Sequence, residues 1–205
     1  MTKVTPYNNT EAKKKQVTQM FDNIAGSYDF LNHTLSLGMD NIWRKIAIKK
    51  LSNNPATILD IATGTGDFAI SASKYTNATI TGIDISQGML DVGVEKINKK
   101  GLTDRIKLQL ADSENLPFQD NSYDAVTAGF GVRNFEDLNK GLSEMYRTLK
   151  SGGIVAILEP SEPTYFPLKQ FYKLYFHHIL PFIGGIISKD KNAYTYLPDS
   201  VSAFP

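Results

Sequence analysis

Apolar and polar positions change over in short blocks through the middle of the chain. Five β-branched runs, at 57–61 (TILDI), 79–84 (TITGID), 105–110 (RIKLQL), 123–128 (YDAVTA) and 154–159 (IVAILE), read as strands. Between them, 67–74, 86–100 and 135–149 read as helices. In the last of these Leu138, Leu142, Met145 and Leu149 recur at spacings of three and four, which makes one apolar stripe. Ser86 stands in N-cap position before Gln87-Gly88-Met89-Leu90. Gly152-Gly153, just after Lys150, predicts a helix stop and a turn into the fifth strand. Strands that alternate with helices predict a mainly parallel sheet with helices on both faces, a Rossmann-like α/β sandwich.

Two segments flank this core. Residues 11–51 have helical periodicity, with Val17, Met20, Phe21 and Ile24 on one face and Trp43, Ile46, Ala47 and Leu51 on another. Residues 164–188 are dense in aromatic side chains: Tyr165, Phe166, Phe171, Tyr172, Tyr175, Phe176 and Phe182. Both are expected to lie as lids over the carboxyl ends of the strands. The organisation predicted is one domain, with an N-terminal helical lid (11–51), a ligand-binding core (55–160) and an aromatic helical segment (161–205).

Composition narrows the function classes. A chain of 205 residues, 41% hydrophobic, suits one ordinary core. Its 22 basic and 21 acidic residues leave a formal net charge of +1, which argues against a nucleic-acid partner. The absence of cysteine excludes disulfides, thiol catalysis and cysteine-based zinc sites. His33, His177 and His178 lack the spacing of a metal motif, so no metal is expected. Residues 1–15 carry Lys13, Lys14 and Lys15 without an apolar stretch, unlike a signal peptide. The three lysines read as a solvated helix start. Residues 171–187, the most membrane-like window, contain Lys173, two histidines, Pro181 and a glycine pair, too polar and broken for a span. A soluble cytoplasmic protein is expected.

Candidate chemistry gathers at Leu59-Asp60-Ile61-Ala62-Thr63-Gly64-Thr65-Gly66-Asp67-Phe68. A strand ends, a turn with Gly64 and Gly66 follows, and a helix begins. Glycines there let the backbone approach a ligand beyond the carboxyl edge of the sheet. Asp84, at the end of the next strand, can accept from both hydroxyls of a ribose. This much also fits a dinucleotide enzyme, since Gly64-x-Gly66-x-x-Ala69 satisfies the relaxed NAD fingerprint. Three features favour another nucleoside ligand. Asp60 lies at the strand end, where it could meet the ammonium of a methionine moiety and would repel a pyrophosphate. Asp112, in Leu110-Ala111-Asp112-Ser113, can accept from an adenine amino group. Leu116-Pro117-Phe118 then leads into the fourth strand.

The ordered set of acid, Gly-x-Gly, acid, acid, Leu-Pro-Phe and Gly-Gly resembles the class I S-adenosylmethionine-dependent methyltransferases. Ala62 stands where that family usually has glycine. Three further blocks carry a closer likeness. They are Tyr28-Asp29-Phe30-Leu31-Asn32-His33-Thr34-Leu35-Ser36 through Gly38 to Trp43, then Phe130-Gly131-Val132-Arg133-Asn134, and Arg147 to Gly153 continuing to Leu158-Glu159-Pro160-Ser161. From about residue 15 onward the chain is similar to the ubiquinone/menaquinone biosynthesis C-methyltransferases (UbiE type). In that family Asp40 often stands as His, Leu31 as Met and Gly129 as Ser.

The resemblance implies C-methylation of a polyprenylated quinol precursor, demethylmenaquinol in preference to the ubiquinone precursor. S-adenosyl-L-methionine is the implied cofactor and S-adenosyl-L-homocysteine the product. The implied contacts are Asp60, Gly64, Thr65, Gly66, Asp84, Ile85, Asp112, Ser113 and Gly129. Arg133 is implied as the group that stabilises a ring oxyanion, being too basic to act as a general base. Tyr28, Asp29 and Asn32 are implied to position the quinol or a water. The aromatic segment would line a prenyl channel, and a lipid-bound substrate would bring peripheral contact with the inner face of a membrane. Two alternatives stay open: transfer to another small acceptor, and a cofactor-binding fragment without activity. In the resembled family a further helix and a strand pair complete a seven-stranded sheet. This chain stops at Phe204-Pro205, so five parallel strands are expected, the fifth unpaired on its outer side or covered by a partner.

Overall fold

The computed structural model describes residues 4–7, 9–174 and 190–204. Five strands, β1 (Thr57–Ile61), β2 (Thr79–Asp84), β3 (Ile106–Leu110), β4 (Tyr123–Gly129) and β5 (Leu149–Leu158), form one sheet in the order β3-β2-β1-β4-β5, every neighbouring pair parallel. The helices are α1 (Lys13–Leu35), α2 (Met39–Lys49), α3 (Asp67–Tyr75), α4 (Gln87–Lys99), α5 (Leu138–Thr148), α6 (Leu168–Leu174) and α7 (Lys191–Ala203), with a 3-10 turn at Val132–Asn134. The strand order reverses between β1 and β4, which opens a crevice at their carboxyl ends.

Alternation along the strands builds two cores. Ile58, Ile80, Ile106 and Ala125 face α3 and α4, while Leu59, Ile61, Ile83, Val126 and Ala128 face the side of Met145 on α5. Burial on both faces explains why the strands read as apolar runs. A third cluster joins Val17, Met20, Ile24 and Leu31 of α1 to Ala193 and Tyr196 of α7. Among the described residues no helix is long and apolar enough to cross a membrane.

Three expectations are corrected. α5 starts at Leu138, capped by Asp137, because Phe135 is folded into the core against Gly141. Gly152 and Gly153 lie inside β5 rather than before it, at a register shift opposite Tyr123 to Ala125. The inward face of α2 consists of Asp40, Arg44 and Ile48, whereas Trp43 and Ile46 point outward. Charged residues at i and i+4 turned inward because they pair with each other, which a hydrophobicity pattern cannot show. Ser86 caps α4 as expected, its Oγ accepting from the Met89 N–H. The predicted residues Tyr175, Phe176, His177, His178 and Phe182 lie outside the described residues.

Candidate functional site

At the carboxyl edge of the sheet two adjoining chambers share Phe21, Tyr28, Phe130 and Asn134 as walls. The first is the crevice at the strand switch. Six of the expected contacts line it: Gly64, Asp84, Ile85, Asp112, Ser113 and Gly129. Asp84 is fixed by backbone donors, with the Gly64 N–H 2.8 Å from Oδ2 and the Ser86 N–H 2.9 Å from Oδ1. Burial raises its pKa, and those two donors pull it back. Gly64 has φ +56, and a Cβ there would stand 3.3 Å from the Met89 methyl. A Cβ on Gly129 would meet the Phe68 ring at 2.7 Å, so the serine common at this position in the resembled family would need Phe68 to move.

The first turn of α1 closes the crevice. Lys14 Nζ lies 2.7 Å from Asp112 and 2.9 Å from Glu114, and Lys13 Nζ donates to the carbonyls of Arg133 and Phe135, each at 3.0 Å. The expectation of a solvated lysine run is therefore wrong for these two; Lys15 alone pairs locally, with Glu11. Three lysines at a helix N-terminus oppose the helix dipole, and the contacts across the crevice offset that local cost. Further along α1, Asp22 Oδ1 accepts from Ser86 Oγ at 2.6 Å and from the Gly88 N–H at 3.0 Å, so α1 also caps α4.

Asp60, Thr65 and Gly66 stand outside the crevice wall. Asp60 is fully buried and accepts from Thr63 Oγ1 at 2.5 Å and from Thr127 Oγ1 at 2.7 Å. Burial pushes its carboxyl up to about 6, with both threonines pulling the other way. It braces the glycine loop against β4 and, in this arrangement, is sealed from an ammonium. The Thr65 hydroxyl donates to Asp29, and Lys96 Nζ reaches Asp29 at 2.5 Å and Asp67 at 2.6 Å. Asp29 thus lies in an ion-pair network between α1 and α4 and lines neither chamber. Gly66, at φ +80, starts α3 and faces Ile97 and Leu108.

The second chamber is an apolar cavity of about 700 Å³ between α1, α2, the 3-10 turn and α7. Tyr28, Asn32 and Arg133 line it as expected, joined by Asn134, Glu159 and Tyr196. Arg133 donates through Nη1 to Glu159 Oε2 at 2.8 Å and to the Phe130 carbonyl, and through Nε to Ser200 Oγ at 3.2 Å. The Asn32 and Asn134 Nδ2 atoms are buried without a hydrogen-bond partner among the described residues. Unmade bonds of this kind cost free energy unless a ligand completes them. Burial pushes the Tyr28 and Tyr196 hydroxyls up to about 12, so both stay protonated donors at neutral pH. Of the predicted aromatic segment Tyr172 reaches this cavity, whereas Tyr165 and Phe166 are exposed. Phe130 separates the chambers at φ +62, held by an edge contact with Trp43 and by the Arg44 guanidinium 5.5 Å from its ring centroid.

One histidine-carboxylate cluster occurs among the described residues: His33 lies between Asp40 at 2.7 Å and Asp67 at 3.3 Å. Arg44 and Lys96 already supply positive charge to those carboxylates. Sequence reasoning missed Asp22, Lys96, Glu114 and Glu159 as site residues. Their signal is geometric, since each meets its partner from 26 to 100 positions away.

Residues 9–205 match the profile of the ubiE/COQ5 methyltransferase family. A Bacteroides fragilis protein named demethylmenaquinone methyltransferase is 52% identical over 205 residues, covering 99% of this chain and 84% of that protein. A Geotalea daltonii protein named ubiquinone/menaquinone biosynthesis C-methyltransferase UbiE is 48% identical over 196 residues, 94% of this chain and 83% of its own. Among solved structures, a Methanococcus maripaludis protein aligns over 97% of this chain and 89% of its own, with TM-score 0.61 and 22% identity. That likeness carries the Rossmann-like fold alone.

Proposed function

The chain belongs to the ubiE/COQ5 methyltransferase family, and on that premise we propose that it transfers the methyl group of S-adenosyl-L-methionine to a ring carbon of a polyprenylated quinol, demethylmenaquinol in particular. The observation that supports this most directly is the pairing of an acid-rimmed nucleoside crevice with a large apolar cavity across shared walls. The relatives named demethylmenaquinone methyltransferase point the acceptor toward the menaquinone precursor. The lid at 11–51, the core at 55–160 and the segment at 161–205 then form one catalytic unit.

The crevice suits the cofactor. Asp84 presents two oxygens, anchored by backbone donors of Gly64, Ile85 and Ser86, with remaining lone pairs for the ribose hydroxyls. Ile85, Met89 and Ala111 offer an apolar slot, and Asp112 with Ser113 offers partners to an adenine edge. When bound, the cofactor supplies a methyl group made electrophilic by its sulfonium.

The ring carbon becomes nucleophilic as its neighbouring hydroxyl gives its proton to water. The methyl–sulfur bond breaks as the new carbon–carbon bond forms, and the ring proton displaced from that carbon leaves to water, restoring the aromatic hydroxyl. Arg133, held in place by Glu159, Ser200 and the Phe130 carbonyl, stabilises the oxyanion that develops in this largely apolar cavity. The Tyr28 hydroxyl and the Asn32 and Asn134 Nδ2 groups, without partners among the described residues, orient the ring by donating to its oxygens. Calorimetric titration with S-adenosyl-L-homocysteine tests the crevice, and radiolabel transfer to demethylmenaquinol, beside tail-free phenols, tests the acceptor. Tight cofactor binding with transfer only to unrelated phenols would overturn the quinol assignment.

A further inference from the structure

The outward side of α2 departs from the polar surface expected of a solvated helix. Met39, Ile42, Trp43 and Ile46, at i, i+3, i+4 and i+7, form one stripe, each between 39 and 52% exposed. Leu37, in the turn that precedes the helix, is 87% exposed and holds φ +53. The exposed charged residues of α2 and its end are Lys45, Lys49 and Lys50, while its one acid, Asp40, is buried against Arg44. An apolar stripe edged by lysines, with an aromatic residue in it, is the composition of a helix that lies in a membrane interface.

The stripe is continuous with the acceptor cavity. Leu37 and Trp43 both line that cavity and are exposed, so they mark where it opens. The geometry points to docking of this face on an anionic lipid bilayer, with the opening of the cavity held against the acyl region. A second copy of the chain fits less well. A twofold contact through the stripe would bring two sets of Lys45, Lys49 and Lys50 into one interface with no exposed acid of α2 to pair them, whereas anionic headgroups complement all three. The inference rests on the proposed reaction only for what passes through the opening; the docking itself involves neither cofactor nor acceptor.

Trp43 is the one tryptophan of the chain, which makes its fluorescence a direct reporter. The whole protein would be mixed with vesicles of phosphatidylglycerol and phosphatidylcholine in equal parts, and with phosphatidylcholine alone. The expected result is a blue shift and co-sedimentation with the anionic vesicles, weakened by salt, and quenching by brominated acyl chains. Lys45→Gln and Lys49→Gln should each weaken partitioning about fivefold, and Ile42→Ser with Ile46→Ser should abolish the shift. Transfer to a tail-free, water-soluble acceptor should stay unchanged in all three variants. Absence of a shift and of sedimentation, binding indifferent to these substitutions, or a dimer dispersed by Ile42→Ser with Ile46→Ser would each overturn the proposal. Failure of methyl transfer would leave the vesicle result standing.

Discussion

Arg133 and Glu159 form a buried ion pair on the wall of the larger chamber, Nη1 to Oε2 at 2.8 Å, with each side chain 7% exposed. Glu159 Oε1 also accepts from the Val132 N–H at 2.7 Å, so one carboxylate holds both the guanidinium and the backbone that carries it. Glu159→Ala should cost roughly 3–5 kcal/mol, since the charge left behind stays buried. Urea unfolding measures it. Arg133→Ala should lose about 100-fold or more in turnover while the affinity for S-adenosyl-L-homocysteine holds, because Arg133 does not line the crevice. Unchanged turnover in that variant would remove Arg133 from the chemistry.

Ala62 carries φ +53, a left-handed conformation that disfavours any side chain, and its methyl carbon stands 2.4 Å from where a Cβ on Gly131 would be. Ala62→Gly should therefore stabilise the protein by about 0.5–1 kcal/mol. Gly131→Ala should destabilise by about 1–3 kcal/mol through overpacking. The Gly131 backbone, at φ −116, is not the obstacle. In the double variant most of that cost should vanish, and additive denaturation midpoints would contradict the contact.

Asp60 gives stability a definite pH dependence. Burial lifts its folded-state pKa from 3.8 to about 6, so between those values the folded chain holds the proton more tightly than the unfolded one. Stability contributed by this group is thus full below about pH 4 and falls as pH rises toward 6, by roughly 3 kcal/mol in all. Asp84, also raised by burial, adds a slope of the same sign. Asp60→Asn should flatten the profile between pH 4 and 6 without abolishing the slope, as read from chemical unfolding at stepped pH. An unaltered profile would mean that Asp60 titrates normally.

Lys14 acts as a clasp over the crevice. Its two ion pairs with Asp112 and Glu114 are partly exposed, so each is worth at most about 1 kcal/mol and is sensitive to salt. Lys14→Met should speed both association and release of S-adenosyl-L-homocysteine in stopped flow. It should also raise amide exchange in the first turn of α1. Rates that match the parent protein at low salt would show that α1 does not gate the crevice.

The sheet was readable because parallel strands buried on both faces appear as short β-branched runs. TILDI and TITGID coincide with β1 and β2 residue for residue. The crevice was readable where an acid stands at or just past the carboxyl end of a strand, as with Asp84 at the end of β2 and Asp112 two residues beyond β3. Asp60 stands apart from the crevice lining, and its sequence context did not show this because a carboxylate near a strand end looks the same whether a ligand or two threonines meet it. One of those threonines, Thr127, lies 67 positions away. The Lys13 and Lys14 contacts failed to show for a related reason, since their partners lie about 100 positions or more downstream. The face of α2 was misassigned because its inward side is ionic and its outward side apolar, the reverse of the usual helix.

Phe21, Tyr28, Phe130 and Asn134 finish both chambers at once. A guest settling on either side must press on, or release, a surface that its neighbour is waiting to touch. Occupancy of one compartment should therefore alter the dissociation constant of the other, and by thermodynamic reciprocity any such factor is identical in each direction.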